Sequence, residues 1–193
     1  MLDVTNLPIT FENTRLRPLS ELDAGAYAAG TKDEAVRRFA HLPEPDYTPE
    51  SVRRMISEEV AAGLSSGTLA VLALADAETD RFVGSVVLFD VSFEAAEVGF
   101  WIHPGVRRGG HARRGLELAS RFARNSGLRT LTARTLPENK ASQRCLTSAG
   151  FRETGRDIGT TPAGQREELF HYQRDLVPAS KAVGDRTTST PSA

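Results

Sequence analysis

One segment of the sequence requires the backbone to pass from a strand into a helix through a short basic loop. Residues 95–102, AAEVGFWI, form an apolar run whose length and composition predict a strand. Residues 107–112, RRGGHA, follow closely, and the helix predicted next is expected to end near Asn125-Ser126-Gly127. The apolar positions of that helix have 4-3-4 spacing and are Ala112, Leu116, Ala119 and Ala123. The sequence therefore predicts a strand–loop–helix unit.

The loop has the features of an anion-binding site. A helix begins with N–H groups that lack partners and with about half a positive charge. Gly109 and Gly110 let the backbone approach a phosphate, because glycine has no Cβ. Positive charge is added by Arg107, Arg108, Arg113 and Arg114. We interpret the loop as a diphosphate site; the alternative interpretation is a flexible turn beside a solvated basic face.

Two common nucleotide-binding loops do not match this segment. A Walker loop needs Gly-Lys-Ser or Gly-Lys-Thr at a fixed spacing, and the sequence contains neither. A dinucleotide-binding loop needs Gly-x-Gly-x-x-Gly after a strand, and this pattern is also absent from the sequence. The anion is therefore predicted to be held by a loop of another type.

The rest of the chain alternates between helix and strand patterns. Helix starts are predicted at Ser20 with Asp23, at Thr31 with Glu34, and at Thr48-Pro49. A short helix is predicted at 139–149. Strands are predicted at 11–18, 69–75, 82–89, 128–136, 151–158 and 166–176, the last two flanking a turn at 161–164. This order predicts an α/β (α+β) fold, a mixed sheet with helices packed on it.

Length and composition limit the class of protein. With 193 residues, we expect a single domain over residues 1–178 and a disordered tail over 179–193. The net charge of −1 favours neither nucleic acid nor a membrane surface as a partner. Cys145 is the only cysteine, so no disulfide forms within the chain. The sequence shows no secretory signal and no membrane-spanning apolar stretch, and we expect a cytoplasmic protein.

Four motifs occur in a characteristic order along the chain. They are the strand 96–102, Arg107-x-x-Gly110-x-Ala112, Asn139-Lys140-Ala141-Ser142 and Gly150-Phe151. Together they resemble the GCN5-related N-acetyltransferase (GNAT) superfamily and its ribosomal-protein N-acetyltransferase-like (Rim-type) branch, and residues 12–176 fit the family's order of elements. The resemblance implies a mixed, mostly antiparallel sheet of about seven strands flanked by helices. It also implies an enzyme that transfers an acetyl group from acetyl-coenzyme A (acetyl-CoA) to an amine.

The resemblance further implies a binding site for acetyl-CoA. Backbone N–H groups of residues 108–113 would hold the pyrophosphate, and the pantetheine arm would lie beside residues 101–103, where two strands splay apart. A main-chain N–H near Trp101 or Ile102 would polarise the thioester carbonyl. Gly99 is expected to mark a β-bulge on that strand. The residues implied in binding are Trp101, Ile102, His103, Arg107, Arg108, Gly109, Gly110, His111, Ala112, Arg113, Asn139 and Ser142.

An amine that attacks directly in a ternary complex must lose a proton, since free amines are mostly protonated at neutral pH. Glu97 is the first candidate for the base, because it lies on the strand beside the expected thioester. A surface or ion-paired carboxylate is an equal alternative for Glu97. His103 ends the same strand and is expected more often to be structural, and Asp90 and Glu94 are weaker candidates.

The leaving thiolate needs a proton or a hydrogen bond. Many members of the superfamily provide a tyrosine seven residues after the asparagine, but here that position is Leu146. Ser142 is the substitute that the Rim-type branch suggests, and its alternative is an ordinary serine in the first turn of a helix. Cys145 has apolar neighbours in the sequence and is expected in the core. It is not expected to be a nucleophile, because no histidine is near it in the sequence. The four histidines lack metal-ligand spacing, so no metal site is predicted.

The acceptor is less well defined. The resemblance points first to a protein or peptide α-amino group, and next to a small amine such as a drug or polyamine. Helices within 20–66 would form the acceptor wall. An acidic patch there would suit a cationic acceptor, although a solvated helix face is the favoured interpretation; its residues are Glu44, Asp46, Glu50, Glu58 and Glu59. A module that senses acyl-CoA without turnover is the rival function, nucleic-acid binding ranks last, and a monomer or homodimer is expected.

Overall fold

The computed structural model describes residues 1–40, 42–161 and 164–176. Its strands are β1 Ile9–Phe11, β2 Thr14–Pro18, β3 Ala70–Asp76, β4 Phe82–Phe89, β5 Ala95–Ile102, β6 Thr130–Thr135, β7 Arg152–Thr160 and β8 Arg166–Asp175. They form one sheet in the order β1-β2-β3-β4-β5-β6-β8-β7. Neighbouring strands are antiparallel except β5 and β6, which run parallel. The predicted mixed, mostly antiparallel sheet is therefore confirmed.

The strand predicted at 11–18 is a hairpin, which raises the number of strands from about seven to eight. Phe11 pairs with Thr14 across the two-residue turn Glu12-Asn13. Glu12 has a φ of 51°, in the region that glycine and asparagine occupy most readily. The sequence pattern missed this turn because the turn contains no glycine. The predicted tail over 179–193 and residues 162–163 of the predicted turn lie outside the described residues.

Six α-helices occur among the described residues. Four come between β2 and β3, and a π-helical turn, Ile56–Val60, joins the last two of them. The helices are α1 Ala24–Gly30, α2 Glu34–Phe39, α3 Pro49–Met55, α4 Ala61–Ser66, α5 His111–Asn125 and α6 Lys140–Ser148. Capping boxes form at two predicted starts. One, between Ser20 and Asp23, begins the 3-10 turn Glu21–Asp23 that leads into α1, and the other, between Thr48 and Ser51, begins α3. These starts were predictable because their signals are local: the capping-box pattern of Ser20 with Asp23, and Pro49 at the first helical position after Thr48.

The helix start predicted at Thr31 is wrong by two residues. Asp33 precedes α2, and its Oδ1 accepts a hydrogen bond from the N–H of Val36 at 3.1 Å. Thr31 instead follows α1, where its hydroxyl donates to the Ala28 carbonyl at 2.9 Å. A threonine can bind backbone groups at either end of a helix, so its position in the sequence does not distinguish the two ends.

Side chains alternate along the strands and separate two apolar cores. One face of the sheet packs against α5 and α6, with Leu116, Phe122 and Leu146 fully buried. The other face packs against α1, α2 and α3 around Tyr27 and Trp101, whose ring centroids are 5.1 Å apart. Successive residues of β5 therefore face different cores. In the described part of the chain, no helix is both long and apolar enough to cross a membrane.

Candidate active site

Strands β5 and β6 separate as they approach the basic loop. Their parallel pairing stops at Glu97 opposite Thr132, although β5 continues to Ile102 and β6 to Thr135. A cleft of about 840 Å³ includes this opening and reaches the loop before α5. The structure thus contains the splayed strands that the resemblance implies.

The hydrogen bonds of β5 identify the backbone groups that line this opening. The N–H of His103 donates to the Val83 carbonyl at 2.9 Å, and the register between β4 and β5 is continuous. Bonded and outward groups alternate along an antiparallel strand, so the N–H groups of Phe100 and Ile102 point away from β4. On that side, no strand of the described chain pairs with them. Of the two donors considered, Trp101 and Ile102, it is Ile102 whose N–H faces the opening.

The β-bulge predicted at Gly99 is wrong. The pairing of β4 with β5 has no register shift, and Gly99 lies directly opposite Val87. A Cβ at Gly99 would lie 2.9 Å from Cγ1 of Val87 and 3.8 Å from Cε1 of Phe89. Gly99 is therefore required by the close approach of side chains from β4, and its missing side chain keeps the surface of the sheet open.

The loop before α5 presents a row of backbone donors. The N–H groups of residues 107–113 have no acceptor within residues 1–40, 42–161 and 164–176. Arg108 has a φ of 68° and Gly110 a φ of 78°, whereas the φ of Gly109 between them is not positive. Such alternation turns successive N–H groups towards one side and forms an anion-binding nest. Together with the N-terminus of α5, this geometry fits a pyrophosphate.

The carboxylate of Glu12 forms ion pairs with two arginines in the first turn of α5. Nε of Arg114 lies 2.5 Å from Oε2 of Glu12, and Arg113 lies 3.3 Å from the other carboxylate oxygen. Arg114 also donates to the carbonyl of Gly109 at 2.5 Å, which ties the glycine loop to the helix that follows it. The β1–β2 turn therefore supports the loop.

Arg107 and Arg108 differ in their partners. Arg107 forms an ion pair with Asp33, the residue that caps α2, at 2.5 Å. This guanidinium lowers the pKa of the Asp33 carboxyl. Arg108 is exposed, and within the described residues no carboxylate pairs with it. The charge of Arg108 is thus available to an anion, while Arg107 joins the loop to α2.

His111, the first residue of α5, has a structural side chain. It is 8% exposed, and its Nδ1 lies 2.9 Å from the hydroxyl oxygen of Thr14 on β2. Burial, with a further contribution from the Arg114 guanidinium, lowers the pKa of His111. The imidazole is therefore neutral at pH 7, and the backbone N–H of this residue is the group left for an anion.

We expect His111 to make the fold sensitive to acid. The unfolded chain takes up a proton near pH 6.5, whereas the folded chain resists protonation, so this stabilisation is complete above pH 6.5 and is lost as the pH falls below it. The slope from one group is at most about 1.4 kcal/mol per pH unit. Urea unfolding from about pH 7.5 to about pH 5 measures it. His111→Asn should remove this part of the slope; equal slopes in the two proteins would contradict the prediction.

The N-terminus of α6 borders the other side of the opening. Asn139 caps α6, and its Oδ1 accepts a hydrogen bond from the N–H of Ser142 at 3.1 Å. Both residues are half-buried and line the cleft. The side-chain nitrogen of Asn139 and the hydroxyl of Ser142 have no partner in the described chain. They remain free to donate to a ligand, so the roles implied for them stay predictions that the geometry permits.

Glu97 lies at the point where β5 and β6 separate, and it lines the cleft. Nε of Arg134 donates to both of its carboxylate oxygens at 2.9 Å. Burial raises the pKa of Glu97, and the ion pair with Arg134 opposes this shift without reversing it. A carboxylate with a raised pKa is a stronger base. Glu97 is thus ion-paired and also lies beside the opening, so the ion-paired interpretation is observed and the role of Glu97 as the base stays a prediction.

Three other residues considered in the sequence analysis, His103, Leu146 and Cys145, have surroundings that favour a structural role. Nδ1 of His103 accepts a hydrogen bond from the N–H of Gly105 at 3.2 Å and caps the turn Pro104–Val106. Leu146 is fully buried between α6 and the sheet. Burial raises the pKa of the Cys145 thiol, which disfavours a reactive thiolate. In the described residues, no group of three or more histidine, cysteine or acidic side chains is placed to hold a metal.

Helices α1, α2 and α3, the segment between α2 and α3, and the π-helical turn after α3 form the wall of the cleft that faces the sheet. Most of the side chains on this wall are apolar: Val36, Phe39, Leu42, Pro43, Tyr47, Met55 and Val60. Of the five acidic residues in the suggested patch, Glu59 alone lines the described cleft. Asp46 and Glu50 form exposed ion pairs with Arg37 and Arg53. The patch is therefore mainly a solvated helix face, and the idea of an acidic acceptor wall is not supported.

Sequence patterns gave no sign of three residues that support the site: Glu12, Asp33 and Arg134. Each binds a predicted site residue or its neighbour from a distant part of the chain, with separations of 102, 74 and 37 positions. Such partners become neighbours only when the sheet and the helices on it have assembled. The one signal in the sequence is opposite charge, which is too common to identify pairs.

Known proteins share this architecture. The profile of a family described as an acetyltransferase (GNAT) domain matches residues 13–152. Among solved structures, an acetyltransferase (GNAT family) from Bacillus anthracis has a TM-score of 0.74 and 20% identity, over 88% of this chain and 99% of that one. No curated protein sequence gives a significant match.

Two further solved structures carry names that describe an acceptor or a ligand. The ribosomal-protein-S5-alanine acetyltransferase from Vibrio fischeri has a TM-score of 0.74 and 16% identity, over 89% of this chain and 97% of that one. Mycobacterium smegmatis RimJ in complex with CoA-disulfide has a TM-score of 0.72 and 20% identity, over 84% of this chain and 81% of that one. At these identities the similarity shows a shared fold.

Proposed function

Because the chain belongs to the acetyltransferase (GNAT) domain family, we propose that it is an acetyl-CoA-dependent N-acetyltransferase that acts on a primary amine. The acceptor that we propose first is the α-amino group of a protein or peptide, which attacks directly in a ternary complex. The observation that carries the proposal is the continuity of one cleft from the unpaired loop amides to the open edge of β5.

The residues that line this cleft fit CoA from its pyrophosphate to its thioester end. N–H groups of residues 108–113 and the charge of Arg108 suit the pyrophosphate. The outward backbone groups of Phe100 and Ile102 can pair with an extended, amide-containing arm as they would with another strand. Asn139 and Ser142 offer donors from the facing side. When bound, acetyl-CoA supplies an acetyl group activated as a thioester.

Proton transfer follows from the positions of two side chains and one amide. Glu97 accepts the proton of the attacking amine, directly or through a water molecule. The N–H of Ile102 donates to the thioester carbonyl oxygen, on which negative charge develops. The hydroxyl of Ser142 donates a hydrogen bond to the leaving sulfur. Leu146 makes no contribution to this step, because it is fully buried and has no polar atom.

The names of similar structures support the type of acceptor. The Vibrio fischeri protein is named for an alanine of a ribosomal protein, and the RimJ structure contains CoA as a disulfide. A protein α-amino group bound beside CoA is therefore the acceptor with the most support. A small amine such as a drug or polyamine is the second candidate.

Mass spectrometry of peptides and amines incubated with acetyl-CoA tests the proposal. We expect one class of amine to gain an acetyl group and release free CoA in equal amount. A protein that CoA stabilises against heat, but that acetylates nothing in a broad panel, would instead be a sensor of acyl-CoA. A chain that CoA does not stabilise would contradict both functions.

A further inference from the structure

The surface of the sheet beside Glu97 is apolar. Val71 pairs with Val87, and Val87 pairs with Gly99, so these residues share one face of β3, β4 and β5. Phe89 pairs with Glu97 and lies on the same face. All of them line the cleft. The side chains of this floor are therefore mostly apolar: the polar ones are Glu97, its partner Arg134, and Ser85, whose hydroxyl donates to the Leu72 carbonyl.

The wall opposite this floor is also apolar and carries little charge. Phe39, Leu42 and Met55 line it, and Glu59 is the one acidic residue that the described helices contribute to the cleft. Met55 and Glu59 lie at the end of α3 and in the π-helical turn that follows it. π-Helical turns widen a helix locally and occur often at functional sites. The turn thus belongs to the part of the wall that faces the acceptor.

The charges near the acceptor disfavour an acceptor that carries more than one cationic group. Glu97 is neutralised by Arg134, and the arginines of the phosphate loop repel cations. Glu59 is exposed at the surface of the wall. Among the described residues, Glu59 is the one other carboxylate that lines the cleft, and it is exposed; a second ammonium group placed between the apolar floor and wall would therefore have to leave water, which is costly. An apolar group would instead gain from contact with the floor and the wall.

We propose that the acceptor carries its primary amine next to an apolar group, either aromatic or branched aliphatic. This inference rests on the proposed function and narrows it to one chemical class. The amine lies at Glu97, and the apolar group lies between Met55 of the wall and Val87 of the floor. The same chemistry is found at the first residue of a peptide that begins with leucine or phenylalanine, and in an arylalkylamine.

Two matched panels test this selectivity. The first is a set of peptides that differ only at residue one, which is Phe, Leu, Ser, Asp or Lys; the second compares phenethylamine with spermidine. We expect kcat/KM about 10- to 100-fold higher for the apolar members than for the polar ones. The panel that responds identifies peptide or small amine as the source. Equal or faster acetylation of the Ser, Asp, Lys or spermidine members would overturn the inference.

Substitutions at Met55 and Val87, the residues on either side of the proposed apolar group, give a second measurement of acceptor preference. Met55→Gln and Val87→Thr keep the approximate size of each side chain, and we expect them to reduce the preference for apolar acceptors by about tenfold. Met55→Glu should shift the preference towards the Lys peptide and spermidine. Leu22→Gln is the control, because Leu22 is 95% exposed and lies outside the cleft. A preference unchanged in all three pocket variants would place the acceptor elsewhere.

The proposed acetyltransferase function and the proposed selectivity for apolar acceptors would be contradicted by different results. If amines are acetylated without regard to their apolar groups, the selectivity is wrong and the acetyltransferase function stands. If CoA binds but no member of either panel is acetylated, the proposed function fails and the acceptor class fails with it.

Discussion

Replacing Gly110 with aspartate is expected to weaken CoA binding by at least about 100-fold, equivalent to about 2.7 kcal/mol. Gly110 has a φ of 78°, which side chains disfavour, and any Cβ there would collide with the Arg114 guanidinium. Arg114 holds Glu12 and the Gly109 carbonyl, so its displacement disturbs the loop. The new carboxylate would also repel the pyrophosphate. Calorimetric titration with CoA measures the effect.

Gly127→Asp is a matched control for this change. Gly127 follows the other end of α5 and has a φ of 88°, and a Cβ added there would meet no atom within 4 Å. It therefore has similar backbone strain and lies far along the helix from the loop. We expect Gly127→Asp to bind CoA normally, and Gly110→Asn to lie between the wild type and Gly110→Asp. Unchanged CoA affinity in a folded Gly110→Asp protein would remove the loop from the site.

The strand–loop–helix unit was predictable because its signals are local. The run 95–102 became β5 without change of bounds, and the 4-3-4 spacing placed α5 within one residue of its start. Gly109 and Gly110 lie beside amides that no group in the described chain accepts from, as a phosphate loop requires. Each of these features depends on residues only a few positions apart, so hydrophobic periodicity and glycine conformation were enough to predict them.

Features that depend on distant residues were not predictable in the same way. A glycine within a strand can mark either a bulge or a close approach of another chain segment, and only the position of Val87 shows that Gly99 is the second case. The partner of Glu97 was hidden for the same reason. Arg134 reaches Glu97 because β5 and β6 pair in parallel up to that residue, a register that neither strand's sequence specifies.

Glu97→Gln is expected to lower turnover by about 100-fold or more while CoA affinity stays nearly constant, because the amide cannot accept the proton of the amine. Burial raises the pKa of Glu97 above its ordinary value of 4.5. A base works only when deprotonated, so kcat/KM of the wild type should fall as the pH drops through this raised pKa. This fall of kcat/KM at low pH, the acid limb of the pH profile, should be missing in Glu97→Gln. Steady-state kinetics across the pH range measure both effects.

Two further variants separate proton transfer from the loss of an ion pair. Arg134→Met removes the group that lowers the pKa of Glu97, so the acid limb should move to higher pH. Glu117→Gln breaks ion pairs with Arg121 and Arg174 outside the cleft, and we expect it to affect stability without changing turnover. If Glu97→Gln keeps full turnover and the acid limb, the amine loses its proton to another group. If Arg134→Met leaves the limb in place, the limb belongs to a group other than Glu97.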